Sequence, residues 1–370
     1  MDTSPLPPAP AEADDLGPDL PPEPPVKRGS VRLRDLIWPI ALSLIAIVGV
    51  VAFTTEGEDL VEVARHFRPG LLALAVLALV VQVSIAALRL RHIAGGALSY
   101  RQSLRGQVTW DFLSAITPSA LGGGPFAAYF ISRENRLAYG QVTAFMLFSM
   151  LMDQVWFAVL IVSLFLLATV LPVFPTALGV ASIGTVALYL IGLLAWVTFF
   201  AYATLVRPQL IEWVAGKVVR IKFLRRFEDR VQDEARKLRR QARILRLQPL
   251  AFYLKGFALT AGIWLSRYAI ALYAAFAVTS IARPVLFYLR TAALWLVGIA
   301  LPTPGGSGGM EGLYLLFLAP LLPEGAAGPA LLGWRLIAYY LVLVVGFAVA
   351  GAAVTEVLFG SKNKKESPSA

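Results

Sequence analysis

Leu301-Pro302-Thr303-Pro304-Gly305-Gly306-Ser307-Gly308-Gly309-Met310-Glu311-Gly312 interrupts an otherwise apolar region, with one apolar run at 287–300 and another at 313–322. Each run is shorter than the roughly 20 residues needed to cross a bilayer. Five glycines and two prolines within eleven residues cannot continue a helix. Non-helical backbone at membrane depth persists only inside protein or beside a water-filled cavity. The stretch therefore predicts helix, break, helix: a re-entrant hairpin with a polar tip.

The pattern occurs twice. Ile116-Thr117-Pro118-Ser119-Ala120-Leu121-Gly122-Gly123-Gly124-Pro125 also separates two short apolar runs, and Thr117-Pro118 and Gly122-Gly123 match Thr303-Pro304 and Gly308-Gly309 at one offset of 186 residues. Interrupted hydrophobic segments in corresponding halves point to the binding site of an inverted-repeat transporter.

Composition sets the class. The 370 residues are 58% hydrophobic with a mean hydropathy of +0.69, and 15% are charged, against about 25% in soluble domains. The apolar runs are helical in length and lack the alternation of a barrel. The expected fold is an all-α polytopic membrane protein with about six spanning helices and two re-entrant helical hairpins in an inverted repeat. No cysteine and only two histidines, His66 and His92, are present, so neither a metal site nor a thiol nucleophile is expected. No nucleotide motif follows a strand, and no cofactor is expected. The net charge of +10 is read through topology and anionic lipid rather than nucleic acid.

Residues 1–34 begin with nine prolines in the first 25 positions and are expected to be a disordered cytoplasmic tail. The membrane domain is expected over 35–358. Its spans are read at 36–54, 70–90, 138–171, 177–206, 250–278 and 330–358, with hairpins at 106–132 and 284–322. Residues 207–248 carry 13 Lys and Arg against 5 Asp and Glu, which places them in the cytoplasm. Within them Leu224, Phe227, Val231, Ala235, Leu238, Ala242 and Leu245 fall at helical spacing. This basic amphipathic helix either contacts anionic inner-leaflet headgroups or packs on the protein as a linker. Residues 359–370 form a second cytoplasmic tail. The repeats are 70–171 and 250–358. Both termini are cytoplasmic at a cell membrane, and the hairpins enter from opposite faces. Arg283 and Arg290, at the outer end, fit this topology poorly.

Asp111, Asp153, Arg267 and Arg335 fall within apolar runs, where ionisable residues usually mark a partner or a wet path. Asp153 follows the first Thr-Pro by 36 residues and Arg335 follows the second by 32. These near-equivalent places predict that the two pair, leaving Arg267 for Asp111 or for a lipid phosphate. Short helices beginning near Pro125 and Met310 would offer N-terminal N–H groups to an anion. Glu311 could cap the second of these helices or meet a cationic part of a substrate. The candidate binding residues are thus Arg267, Asp111, Asp153, Arg335 and Glu311, with Thr117, Pro118, Gly122, Gly123 and Gly124 of the first break and Thr303, Pro304, Gly305, Gly306, Ser307, Gly308 and Gly309 of the second.

The run Pro302-Thr303-Pro304-Gly305-Gly306-Ser307-Gly308-Gly309-Met310-Glu311, with Gly333-Trp334-Arg335-Leu336 beyond it, resembles the lysylphosphatidylglycerol synthase transmembrane-region family. Members are also described as flippase-like, and some as archaeal-type glycosylation proteins. The resemblance covers about 35–358 and implies translocation of a phospholipid or polyprenyl-phosphate-linked lipid between leaflets. In longer relatives the region precedes a soluble aminoacyltransferase domain. Here the chain ends a dozen residues after the last span, so a transporter rather than an enzyme is expected, with any transferase a separate partner. Two alternatives remain open: a membrane component of a lipid glycosyl- or aminoacyl-transfer system, and a small-solute secondary transporter.

Overall fold

The computed structural model describes residues 67–117, 123–175, 228–299 and 305–359, together with Leu301, Thr303 and isolated positions elsewhere. The expected spans at 36–54 and 177–206 lie mostly outside the described residues. The tails, Ser119 and the candidate residues Pro118, Gly122 and Pro304 lie wholly outside them.

Every described element is helical. In chain order these are α1 (Pro69–Ile93), α2 (Tyr100–Ile116), α3 (Gly124–Asn135), α4 (Tyr139–Ala168), α5 (Glu228–Arg246), α6 (Leu250–Val278), α7 (Pro284–Gly298), α8 (Gly309–Phe317), α9 (Ala327–Arg335) and α10 (Val342–Phe359). A π-helical segment, Leu336–Leu341, joins α9 to α10. Among the described residues, four helical stretches are long and apolar enough to cross a membrane: Pro69–Ile93, Tyr139–Ala168, Leu250–Val278 and Ala327–Ala350. At about 1.5 Å per residue, the shortest exceeds the roughly 30 Å hydrocarbon core.

Local chemistry sets the boundaries. Ser99 and Gln102 form a reciprocal capping box at the start of α2, with Ser99 N–H donating to Gln102 Oε1 at 2.7 Å. Prolines open α1, α3 and α7, where a missing N–H costs nothing. Gly308, at φ +82°, precedes α8, in a region that side chains other than glycine rarely adopt.

The closest helix pair is α1 against α6. Small residues make this possible: Ala75, Ala86 and Ala87 on α1 and Ala271, Ala274 and Ala275 on α6 are buried. In lipid, small residues let backbones approach and gain dispersion contacts. Two apolar clusters result. One gathers Tyr268, Phe287, Tyr314, Phe317 and Trp334 around the second break. The other gathers Phe112, Ile131, Phe145, Phe148 and Tyr339 around the first.

The basic helix α5 packs on the start of α4. Its Leu238 and Leu245 are buried, and Glu234 Oε2 accepts the Gly140 N–H at 2.6 Å. A Cβ at Gly140 would overlap the Glu234 carbonyl. The linker alternative is thus what the apolar stripe of α5 does, while Arg236, Lys237, Arg239, Arg240, Arg243 and Arg246 stay exposed.

Arg290 is not an outer-loop charge. It is buried, with Nε and Nη2 donating to the Pro172 carbonyl at 3.1 and 2.9 Å and Nη1 to the Phe317 carbonyl at 3.1 Å. It ties the end of α4 to the end of α8, so the conflict it posed with the charge-derived topology disappears.

Candidate functional site

A cavity of about 400 Å³ lies between the end of α2 and the second break. Gln107, Asp111, Ser114 and Ala115, just before the first break, form one wall, and Gly305 and Gly306 of the second break form another. Arg89, Asp153, Arg267 and Arg335 also line it. The volume falls in the roughly 300–1,000 Å³ range of small-ligand sites.

The expected pairing of Asp153 with Arg335 is corrected by the structure. Asp153 is held by Arg89, with Nη1 donating to Oδ1 at 2.6 Å and Nη2 to Oδ2 at 3.2 Å. Trp264 Nε1 adds a bond to Oδ1 at 2.9 Å, and Arg89 Nη1 also donates to Thr260 Oγ1 at 3.0 Å. Sequence reading took Arg89 as the charged end of a span. The signal missed was azimuthal: Ala75, Leu79, Gln82, Ala86 and Arg89 fall on the one buried face of α1. A buried arginine on that face requires an anion.

Arg335 is fully buried and pairs with Glu311. Its Nε donates to Glu311 Oε1 at 2.8 Å. Its Nη2 lies 2.7 Å from the same oxygen as a charge contact without a hydrogen bond. Its Nη1 donates to the Gly305 carbonyl at 3.3 Å. Glu311 Oε2 accepts the Gly308 N–H at 2.8 Å. The carboxylate thus caps α8 and neutralises Arg335 at once, so the positive end of α8 is already satisfied by the chain itself. Gly305, at φ +58°, lies against Tyr339, whose ring a Cβ would overlap.

Arg267 is placed differently. Its guanidinium lies between two indoles, 4.9 Å from the Trp264 centroid and 5.0 Å from that of Trp295. The rings are 5.9 Å apart and steeply inclined. Cation–π attraction holds the charge and leaves the N–H edge for an oxyanion, the geometry that favours bidentate recognition of phosphate. Among the described residues, no carboxylate lies within ion-pair distance of it. The indole N–H of Trp295, buried, has no acceptor among them either.

Asp111 accepts a hydrogen bond from Gln107 Nε2 at 3.0 Å and lies within electrostatic reach of Arg267, Arg89 and Asp153. The remaining described candidates are not part of the cavity lining. Thr117 folds back on its own helix, with Oγ1 donating to the Leu113 carbonyl at 2.7 Å. Gly123 donates its N–H to Ser114 Oγ at 3.3 Å and abuts the backbone of Leu113. Gly124 opens α3, Gly309 opens α8, and Ser307 is buried behind the second break. The Thr303 hydroxyl has no partner among the described residues. No cluster of metal-ligating residues occurs among the described residues.

Interrupted helices converging on a charged cavity beneath lipid-length apolar helices define a polytopic helical membrane protein with a buried polar site. The chain belongs to the lysylphosphatidylglycerol synthase TM region family, whose model matches residues 38–346. No curated protein shows significant similarity to it. The family assignment is to a membrane domain, and the word synthase in its description belongs to the family.

Proposed function

We propose that the protein translocates a lipid with an anionic headgroup between leaflets, as a flippase-like transporter rather than a transferase. The observation that carries this reading is Arg267: a guanidinium in a cavity wall, in cation–π contact with Trp264 and Trp295, with its cavity neighbours Arg89 and Arg335 already neutralised by Asp153 and Glu311. A headgroup phosphate gives Arg267 a direct oxyanion partner, which no described carboxylate does, and one of its oxygens can accept the Trp295 N–H. The cavity suits a headgroup, with the acyl chains remaining in the bilayer.

In this reading the two helix–break–helix units, α2 with α3 and α7 with α8, are re-entrant hairpins from opposite faces. The repeats 70–171 and 250–358 are related by inversion. Both termini are cytoplasmic at the cell membrane, and the basic face of α5 lies at the inner leaflet.

The test uses purified protein in phosphatidylcholine vesicles carrying fluorescent phosphatidylglycerol, with dithionite bleaching as the readout of leaflet exchange. Wild type should expose the inner-leaflet probe. Arg267→Gln should slow exchange by about ten- to a hundredfold, the worth of a charge-assisted hydrogen bond. Unchanged exchange in Arg267→Gln overturns the assignment of the headgroup to this residue.

A further inference from the structure

We propose that Asp111 takes up a proton when an anionic headgroup enters the cavity, so that one proton and one lipid move together. The inference rests on Arg267 as the cation that receives the headgroup.

The argument is a charge inventory. Among the described residues, three guanidiniums belong to the site, Arg89, Arg267 and Arg335, and so do three carboxylates, Asp111, Asp153 and Glu311. Arg89 with Asp153 and Arg335 with Glu311 form two pairs closed by short bonds. Asp111 and Arg267 are left over. Among the described residues, Asp111 takes its side-chain hydrogen bond from the neutral amide of Gln107, and Arg267 is held by neutral rings. The empty site is thus electrically balanced, with Arg267 the compensating charge for Asp111.

A phosphodiester brings one further negative charge. Arg267 can compensate that phosphate or Asp111, but not both. In a site walled by Trp110, Trp264 and Trp295, like charges are poorly screened, and one of two anions sharing a cation takes a proton. The phosphodiester is far too acidic to do so. Asp111 is the group left to accept it, and it returns the proton when the lipid leaves. The bound and empty sites then carry the same net charge, and no uncompensated charge crosses the membrane with the lipid.

Other ionisable groups on packed elements do not compete. Arg89 and Asp153, from α1 and α4, are locked to each other. Arg335 is locked to Glu311. Tyr339, beside the Arg335 guanidinium, is an acid far too weak to ionise here. On α3, Glu134 pairs with Arg105 at 2.7 Å near the surface, and Arg133 donates to Tyr129.

The experiment sets a pH gradient across phosphatidylcholine vesicles containing the full-length protein and fluorescent phosphatidylglycerol, with the membrane voltage clamped at zero. In wild type the leaflet ratio of the probe should follow the gradient, approaching about tenfold per pH unit as one proton per lipid requires. Asp111→Asn keeps an oxygen for Gln107 but cannot take up a proton, so whatever exchange it retains should give a leaflet ratio independent of pH. Asp111→Glu should restore the response. Exchange in wild type that ignores the gradient overturns this proposal and leaves the Arg267 assignment standing. Absence of exchange in wild type overturns both. Should Asp111→Asn be inactive, an internal pH dye decides: proton uptake by wild type on addition of the probe supports the coupling, and no uptake overturns it.

Discussion

The arrangement of charges at Asp153 is steep in its consequences. Its carboxylate accepts bonds from Arg89 and Trp264 while remaining 20% exposed, whereas the Arg89 side chain is 5% exposed. Asp153→Asn would strand a buried guanidinium, a loss of about 3–5 kcal/mol. Thermal unfolding in detergent should show a clear fall in Tm. Adding Arg89→Gln should recover part of it, and adding Arg335→Gln should not. Recovery with Arg335 rather than Arg89 would contradict the observed pairing. Arg267→Gln forfeits cation–π attraction, about 0.5–2 kcal/mol, and the charge that faces Asp111, but it breaks no direct ion pair, so its fall in Tm should be smaller than that of Asp153→Asn.

Individual elements carry two further tests. The second break is shaped by Gly305, whose positive φ and contact with Tyr339 both exclude a side chain, and whose carbonyl receives Arg335. Gly305→Ala should lower Tm through backbone strain of about 1–3 kcal/mol and should disturb the Arg335–Glu311 pair with it. Gly308 differs, because a Cβ there meets nothing within 4 Å; only its φ of +82° resists substitution, so Gly308→Ala should cost less. The helix α5 offers the other test. Its apolar stripe is spent on α4, and its exposed face bears Arg236, Arg240 and Arg243, with Ile244 and Leu247 exposed beside the start of α6. The chain has no cysteine, so a fluorophore on Ile244→Cys has no background. It should be shielded from an aqueous quencher in phosphatidylglycerol-rich nanodiscs and less so in about 1 M salt, where the Debye length falls to about 3 Å. Equal quenching in phosphatidylcholine and phosphatidylglycerol would leave α5 a linker helix alone.

At the scale of the whole molecule, there are two apolar clusters, and the cavity is lined by residues at the end of α2 and in the second break. On the proposed reading, transport depends on both halves. A headgroup resting on Arg267, in α6, borders the first break through Asp111 and the second through Gly305 and Gly306.

Class and helix limits were legible in the chain because they depend on local quantities. The apolar length of 250–278 and the proline at 249 determine α6, and its observed span is the expected one. Pro284 opens α7, which ends at Gly298, and Gly308 and Gly309 begin the next helix. The Pro-Thr-Pro-Gly-Gly run marked the family. Partner choice was not legible. Equal distance from the two breaks suggested Asp153 with Arg335, but sequence spacing measures depth along a helix and says nothing of its rotation about its own axis. The alanine-lined contact of α1 with α6 turns Arg89 toward Asp153 and Thr260. The tight turn at Gly308 brings Glu311 back to its own helix end and against Arg335. The sequence by itself determined the helical class, where the chain breaks and several of the charges inside the membrane domain, though not Arg89 or Arg290. Only the tertiary structure decided which charges neutralise one another, because an ion pair in a low-dielectric interior is set within a few tenths of an ångström by helix rotation and packing, and those depend on every neighbour at once.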